Sequence, residues 1–117
     1  MADYGVAVTW GDVKPGREKQ SLAVWADGVA LNDKAVANGR LERWDAVLFE
    51  PAGAPPLGAI RLYGSQAQID EFIHSEDFQS VILRAGLTIN AVALRRFTTG
   101  EALTQSFGRF ATAVDTL

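Results

Sequence analysis

The chain has 117 residues, 48% of them apolar and 21% charged, with a formal net charge of −3 and no cysteine. Fourteen carboxylates against 11 basic side chains argue against a nucleic-acid or anionic-membrane surface, which needs a cationic excess on one face. The missing cysteines remove disulfides, iron–sulfur clusters, thiolate zinc and thiol catalysis. A length near the modal domain size predicts one domain over residues 1–117 with a single core. No apolar run approaches the roughly 20 residues of a membrane span, and the start Met1-Ala2-Asp3-Tyr4 lacks the basic character of a signal peptide. The expectation is a cytoplasmic protein.

Val6, Val8 and Trp10 alternate with small residues, which predicts a strand over residues 5–10. From Pro15 to Asn38 the residues Leu22, Trp25, Val29 and Val36 recur at helical spacing, with Asn38-Gly39 as the stop. Gly28 interrupts this helix at a cost of about 1 kcal/mol relative to Ala, so either a neighbour comes close there or the helix bends. Leu41 to Phe49 reads as a second strand, and the segment Glu50-Pro51-Ala52-Gly53-Ala54-Pro55-Pro56 breaks it. Gly58 to Tyr63 is a third strand.

Ser65 and Gln68 have capping-box spacing ahead of Ile69, Phe72 and Ile73. Ser75 opens a further helical piece with Phe78, Val81, Ile82 and Ala85 on one stripe and Gly86 as its stop. Leu87 to Phe97 alternates as a fourth strand. Thr98 and Glu101 again have capping-box spacing, and Leu103, Phe107, Phe110, Val114 and Leu117 form an apolar stripe on a terminal helix. The resulting order, β-α-β-β-α-β-α, predicts a ferredoxin-like βαββαβ α+β sandwich with an extra C-terminal helix. Strands two and four carry large apolar groups on both faces. The face away from the helices is therefore expected to be buried by the terminal helix, by a second copy in a homodimer, or by both.

The segments Phe49-Glu50-Pro51 with the Gly53 loop, Gly58-Ala59-Ile60-Arg61-Leu62-Tyr63-Gly64-Ser65, Ser75-Glu76-Asp77-Phe78-Gln79 and Gly100 carry a resemblance over nearly the whole chain. The chain resembles the dimeric α+β barrel superfamily, and within it a group of small uncharacterised bacterial proteins. The resemblance implies paired sheets in a dimer. It implies no single activity, because the superfamily includes cofactor-independent monooxygenases, haem-handling proteins, isomerases, lyases and ligand-binding modules.

His74 is the sole side chain with an unperturbed pKa near neutrality, and acidic neighbours surround it in sequence. It and Asp45 are the candidate bases of an enzyme reading, although an exposed or capping place suits His74 better. Arg43, Asp45, Arg61, Tyr63, Asn90 and Arg95 are polar groups set within strands. Period-two spacing puts Arg61 and Tyr63 on one face, where Arg43 or Arg95 on adjacent strands could join them. Arg61, Tyr63 and Arg95, with Trp10 and Trp44 as walls, are the candidate ligand site; the competing reading is salt bridging at an interface.

No metal-ligand spacing, P-loop, dinucleotide glycine pattern or nucleophile elbow is present, so no metal or cofactor is expected. The favoured expectation is a homodimeric protein binding a small organic molecule in an apolar pocket on the sheet face. The alternatives are a cofactor-independent monooxygenase- or isomerase-like enzyme and a purely structural dimerisation module.

Overall fold

The structure is a computed structural model that describes residues 3–50 and 53–117. The Pro51-Ala52 part of the predicted breaker segment and the first two residues lie outside the described residues. The chain runs β1 (Tyr4–Trp10), α1 (Glu18–Ala37), β2 (Arg43–Leu48), β3 (Gly58–Gly64), α2 (Gln66–Ile73), α3 (Glu76–Thr88), β4 (Ala93–Thr98) and α4 (Gly100–Asp115). The strands form one four-stranded sheet in the order β2-β3-β1-β4, with every pairing antiparallel. This is the ferredoxin-like arrangement that the order of elements predicts.

Register explains the two sheet faces. Val6 pairs with Leu62 and Val8 with Ile60, and Trp44 and Ala46 lie opposite the same two β3 residues. This set faces the helices. Val6, Leu62, Leu41, Ile69 and Phe72 are fully buried and form the centre of the core with Val8, Ala35 and Phe78. The capping box at α2 forms: Ser65 Oγ accepts from the Gln68 N–H at 3.1 Å while the Ser65 N–H donates to Gln68 Oε1 at 2.7 Å. The Gln68 amide also donates to the Gly39 carbonyl at 2.9 Å, tying the start of α2 to the turn after α1. Asn38 caps α1 and Gly39 takes φ 76°, the left-handed residue the sequence requires there.

Several boundaries differ from expectation. Gly86 does not stop α3, which continues to Thr88. The segment after it is not a strand: Ile89 makes only an isolated bridge to Val13, Ala91 turns at φ 58°, and β4 begins at Ala93. Leu87, Thr88 and Ile89 alternate plausibly, but a helix end and a strand start are indistinguishable over so few apolar residues. Helix α1 starts at Glu18 because Pro15 and Gly16 form a turn in which the Arg17 N–H donates to the Lys14 carbonyl at 3.0 Å. Thr98 ends β4 and Thr99 takes the N-cap position of α4, so the Thr98–Glu101 box does not form.

The largest departure concerns α4. Within one chain it does not fold back over the sheet: Ala102 is its single buried residue, and Leu103, Phe107, Phe110, Val114 and Leu117 are all exposed. The chain is accordingly elongated, 54 × 36 × 22 Å with a radius of gyration of 16.1 Å, against about 13 Å for a compact domain of this length.

Candidate functional site

Helix α1 packs along α3, while α2 lies against β1 and β3. The α1–α3 pair therefore leaves a gap above the sheet, and there the structure holds a cavity of about 330 Å³. Its floor is Val8, Trp10 and Ile60 from the helix-facing side of the sheet; its walls come from Val24, Gly28 and Leu31 on α1 and from Phe78, Val81 and Ile82 on α3. Asp12, Val13, Leu22 and Trp25 line it and are exposed, which marks where it opens to solvent.

Trp10 and Trp25 meet edge to face, with ring centroids 5.7 Å apart. The position of Trp10 is set from below: a Cβ on Gly58, its partner in β3, would fall 2.7 Å from the indole, so the ring rests on the bare glycine. Trp25, one of the residues at helical spacing on α1, is 42% exposed at the rim. At Gly28 the nearest neighbour is Val81 on α3, whose Cγ1 lies 3.6 Å from the glycine's Cβ position, an ordinary contact that leaves room for a side-chain methyl.

Among the described residues that line it, Asp12 alone has a titratable side chain, and none is cationic. Ser21 and Asn32 are the buried polar ones, 6% and 5% exposed. Ser21 donates to the Glu18 carbonyl at 2.7 Å. The Asn32 side chain makes no hydrogen bond to another described residue, and its polar atoms keep some solvent contact. Periodicity had placed Leu22, Trp25, Val29 and Val36 on the apolar stripe; Asn32 follows Gly28 by four residues, the signal that could have found it.

The predicted site residues separate. Trp10 alone among them lines the cavity. Trp44 shares the helix-facing side of the sheet but donates through its indole N–H to Asp33 Oδ1 at 2.8 Å. Arg61, Tyr63, Asp45 and Arg95 lie on the opposite face, in two cross-strand rows, Asp45–Arg61–Ala7–Arg95 and Arg43–Tyr63–Gly5–Phe97.

On that face Arg61 Nε and Nη2 donate to the two Asp45 carboxylate oxygens at 2.7 and 3.0 Å, and the hydrogen bond to Asp45 raises the Arg61 pKa further above its ordinary value. Arg43 lies over the Tyr63 ring, 3.5 Å from its centroid, and Tyr63 meets Phe97 edge to face at 5.3 Å. The outer face is thus half charged and internally paired, not the apolar surface that strand alternation suggested. Arg95 forms no ion pair with another described residue.

His74 is the exposed C-cap residue of α2, its Nδ1 2.7 Å from the Asp70 carbonyl, and it is not among the cavity lining. Asn90 serves through its backbone, accepting from the Gly11 N–H and donating to the Asp12 carbonyl, each at 2.8 Å. Among the described residues there is no cluster of three or more potential metal ligands, and no helix is long and apolar enough to cross a membrane.

The fold recurs in solved structures. A hydroxynitrile lyase from Passiflora edulis is similar over 86% of this chain and 97% of its own, at 15% identity and a TM-score of 0.65. A conserved protein from Methanosarcina mazei Go1 is similar over 86% and 95%, at 12% identity and a TM-score of 0.62. A dimeric protein of unknown function and ferredoxin-like fold from Bacteroides fragilis matches over 81% and 95%, at 8% identity and a TM-score of 0.57. No protein-family model and no curated protein matches the sequence. The chain is an α+β protein of ferredoxin-like fold with an added C-terminal helix.

Proposed function

We propose that this protein is a homodimeric binding protein for a small, largely apolar organic molecule, held between the α1–α3 pair and the sheet. The observation that carries the reading is the cavity of about 330 Å³. An engineered apolar cavity of about 150 Å³ already takes up benzene, and ligand sites begin at roughly 300 Å³. Binding is favoured over acid–base catalysis because His74 and Asp45 are both absent from the lining, and the one titratable lining group, Asp12, is at the exposed rim.

The dimer is supported by the uncovered apolar stripe of α4 and by the dimeric state of the similar Bacteroides fragilis protein. Exposed stripes of this size on a soluble chain mark association surfaces. Because Trp10 and Trp25 both border the cavity, filling it changes their fluorescence. Titration with indane, a two-ring hydrocarbon, is expected to give a saturable change in tryptophan emission that Val81→Trp, which fills the cavity from α3, abolishes. An emission change that does not saturate, or that persists in the folded variant, overturns the reading.

A further inference from the structure

Asn32 is 5% exposed as a residue and lines an apolar cavity, and its carboxamide, a donor and acceptor pair that keeps some solvent contact, has no hydrogen-bond partner among the described residues. Water can reach this amide through the open cavity; a ligand that displaces the water without replacing its hydrogen bonds leaves the amide unsatisfied, at a cost of about 1–3 kcal/mol. We infer that Asn32 is the polar anchor of the cavity and that the ligand is an uncharged, compact molecule carrying one carbonyl or hydroxyl group on an otherwise apolar frame. This rests on the proposed binding function and specifies its ligand.

The rest of the lining fixes the class from the other side. Among the described residues no cation lines the cavity, and the Asp12 carboxylate stands at its rim, so an anion entering would lose its hydration without a countercharge from them. A hydrocarbon would fit the volume but leave the Asn32 amide unsatisfied. Ser21 does not compete for the role. Eleven residues earlier on the same helix, it lies about 16 Å away along the axis, and its hydroxyl proton is committed to the Glu18 carbonyl.

The test compares three probes on one frame: indane, 1-indanone and indane-1-carboxylate, titrated into ¹⁵N-labelled wild type, Asn32→Leu and Asn32→Ala. In wild type the Asn32 side-chain amide resonances are expected to shift with 1-indanone far more than with indane. The ratio of indanone to indane affinity is expected to fall about fivefold in both variants, the scale of one neutral hydrogen bond, with indane itself bound as well or better by Asn32→Leu. Indane and 1-indanone both bound, with a ratio unchanged by either substitution, would overturn the anchor and leave the cavity reading standing. Tightest binding by the carboxylate would overturn the neutral class. Binding of no probe to folded wild type would remove both the cavity reading and this inference.

Discussion

Arg61 grips both carboxylate oxygens of Asp45, at 2.7 and 3.0 Å, in the middle row of a sheet face that no helix of the same chain covers. The pair is 40% and 36% exposed at its side chains, so in an isolated chain water screens it and its contribution is at most about 1 kcal/mol. If the second copy sits on this face, the same pair is desolvated, and removing one partner leaves a buried charge.

Arg61→Ala is therefore expected to lower the stability of the isolated chain by less than about 1 kcal/mol while weakening the dimer at least tenfold. Sedimentation equilibrium alongside urea denaturation separates the two. Equal dimer affinity in wild type and variant would place the interface elsewhere, with α4 as the remaining surface.

The α4 stripe makes its own prediction. Phe107 and Phe110 are 65% and 67% exposed, and no intrachain packing depends on them, so a Phe107→Ser, Phe110→Ser double variant should keep the thermal stability of the isolated domain yet shift sedimentation toward the monomer. Loss of the fold instead of the dimer would show that α4 is part of the intrachain core.

How far the sequence reveals this arrangement depends on whether a feature is local. The Ser65–Gln68 box and the Asn38-Gly39 stop are short-range chemistry and appear where expected. Strand periodicity assigned Arg61 and Tyr63 to one face correctly, but it could not say which face the helices would take. The cavity is illegible in the sequence because it arises from the packing of α1 and α3 together above the sheet, a tertiary arrangement that no local residue pattern encodes. Asn32 reads in the sequence as an ordinary polar residue on a long helix; only the assembled fold shows it buried at the cavity.

Gly5 tests the outer face at its centre. A Cβ there would collide with Phe97 Cζ and fall 2.5 Å from the Leu62 carbonyl oxygen. The ring can swing away, but the carbonyl belongs to the β1–β3 pairing and cannot. Gly5→Ala is expected to destabilise by about 3 kcal/mol, the upper range for overpacking, as read by chemical denaturation. A loss under 1 kcal/mol would mean that the strands separate more readily than this register allows.

Asp77 links α3 to the end of α1. Arg40 holds its carboxyl well below the ordinary carboxylate range through hydrogen bonds at 2.9 and 3.3 Å, assisted by Ser75 and by the Phe78 N–H. A carboxylate depressed on folding contributes stability that is complete above its unfolded value, about 3.9, and is lost as the pH falls toward the folded one. Asp77→Asn should thus be less stable than wild type at pH 7 by up to about 1 kcal/mol, since both side chains are partly exposed. The gap should close between about pH 5 and pH 2. A difference that widens in acid would contradict the assigned pairing.

Gly28 offers the opposite sign. Its Cβ position meets only Val81 Cγ1, at 3.6 Å, an ordinary contact, and its backbone is helical within α1. The close approach of α3 therefore does not require glycine. Gly28→Ala removes the helix penalty of about 1 kcal/mol and adds a methyl to the cavity wall, so calorimetry is expected to show a melting temperature higher by about 4 °C. The same methyl takes volume from the ligand space, and affinity for a probe that fills the cavity should fall as stability rises. Stability and binding that move in the same direction would show that residue 28 does not border the occupied part of the cavity.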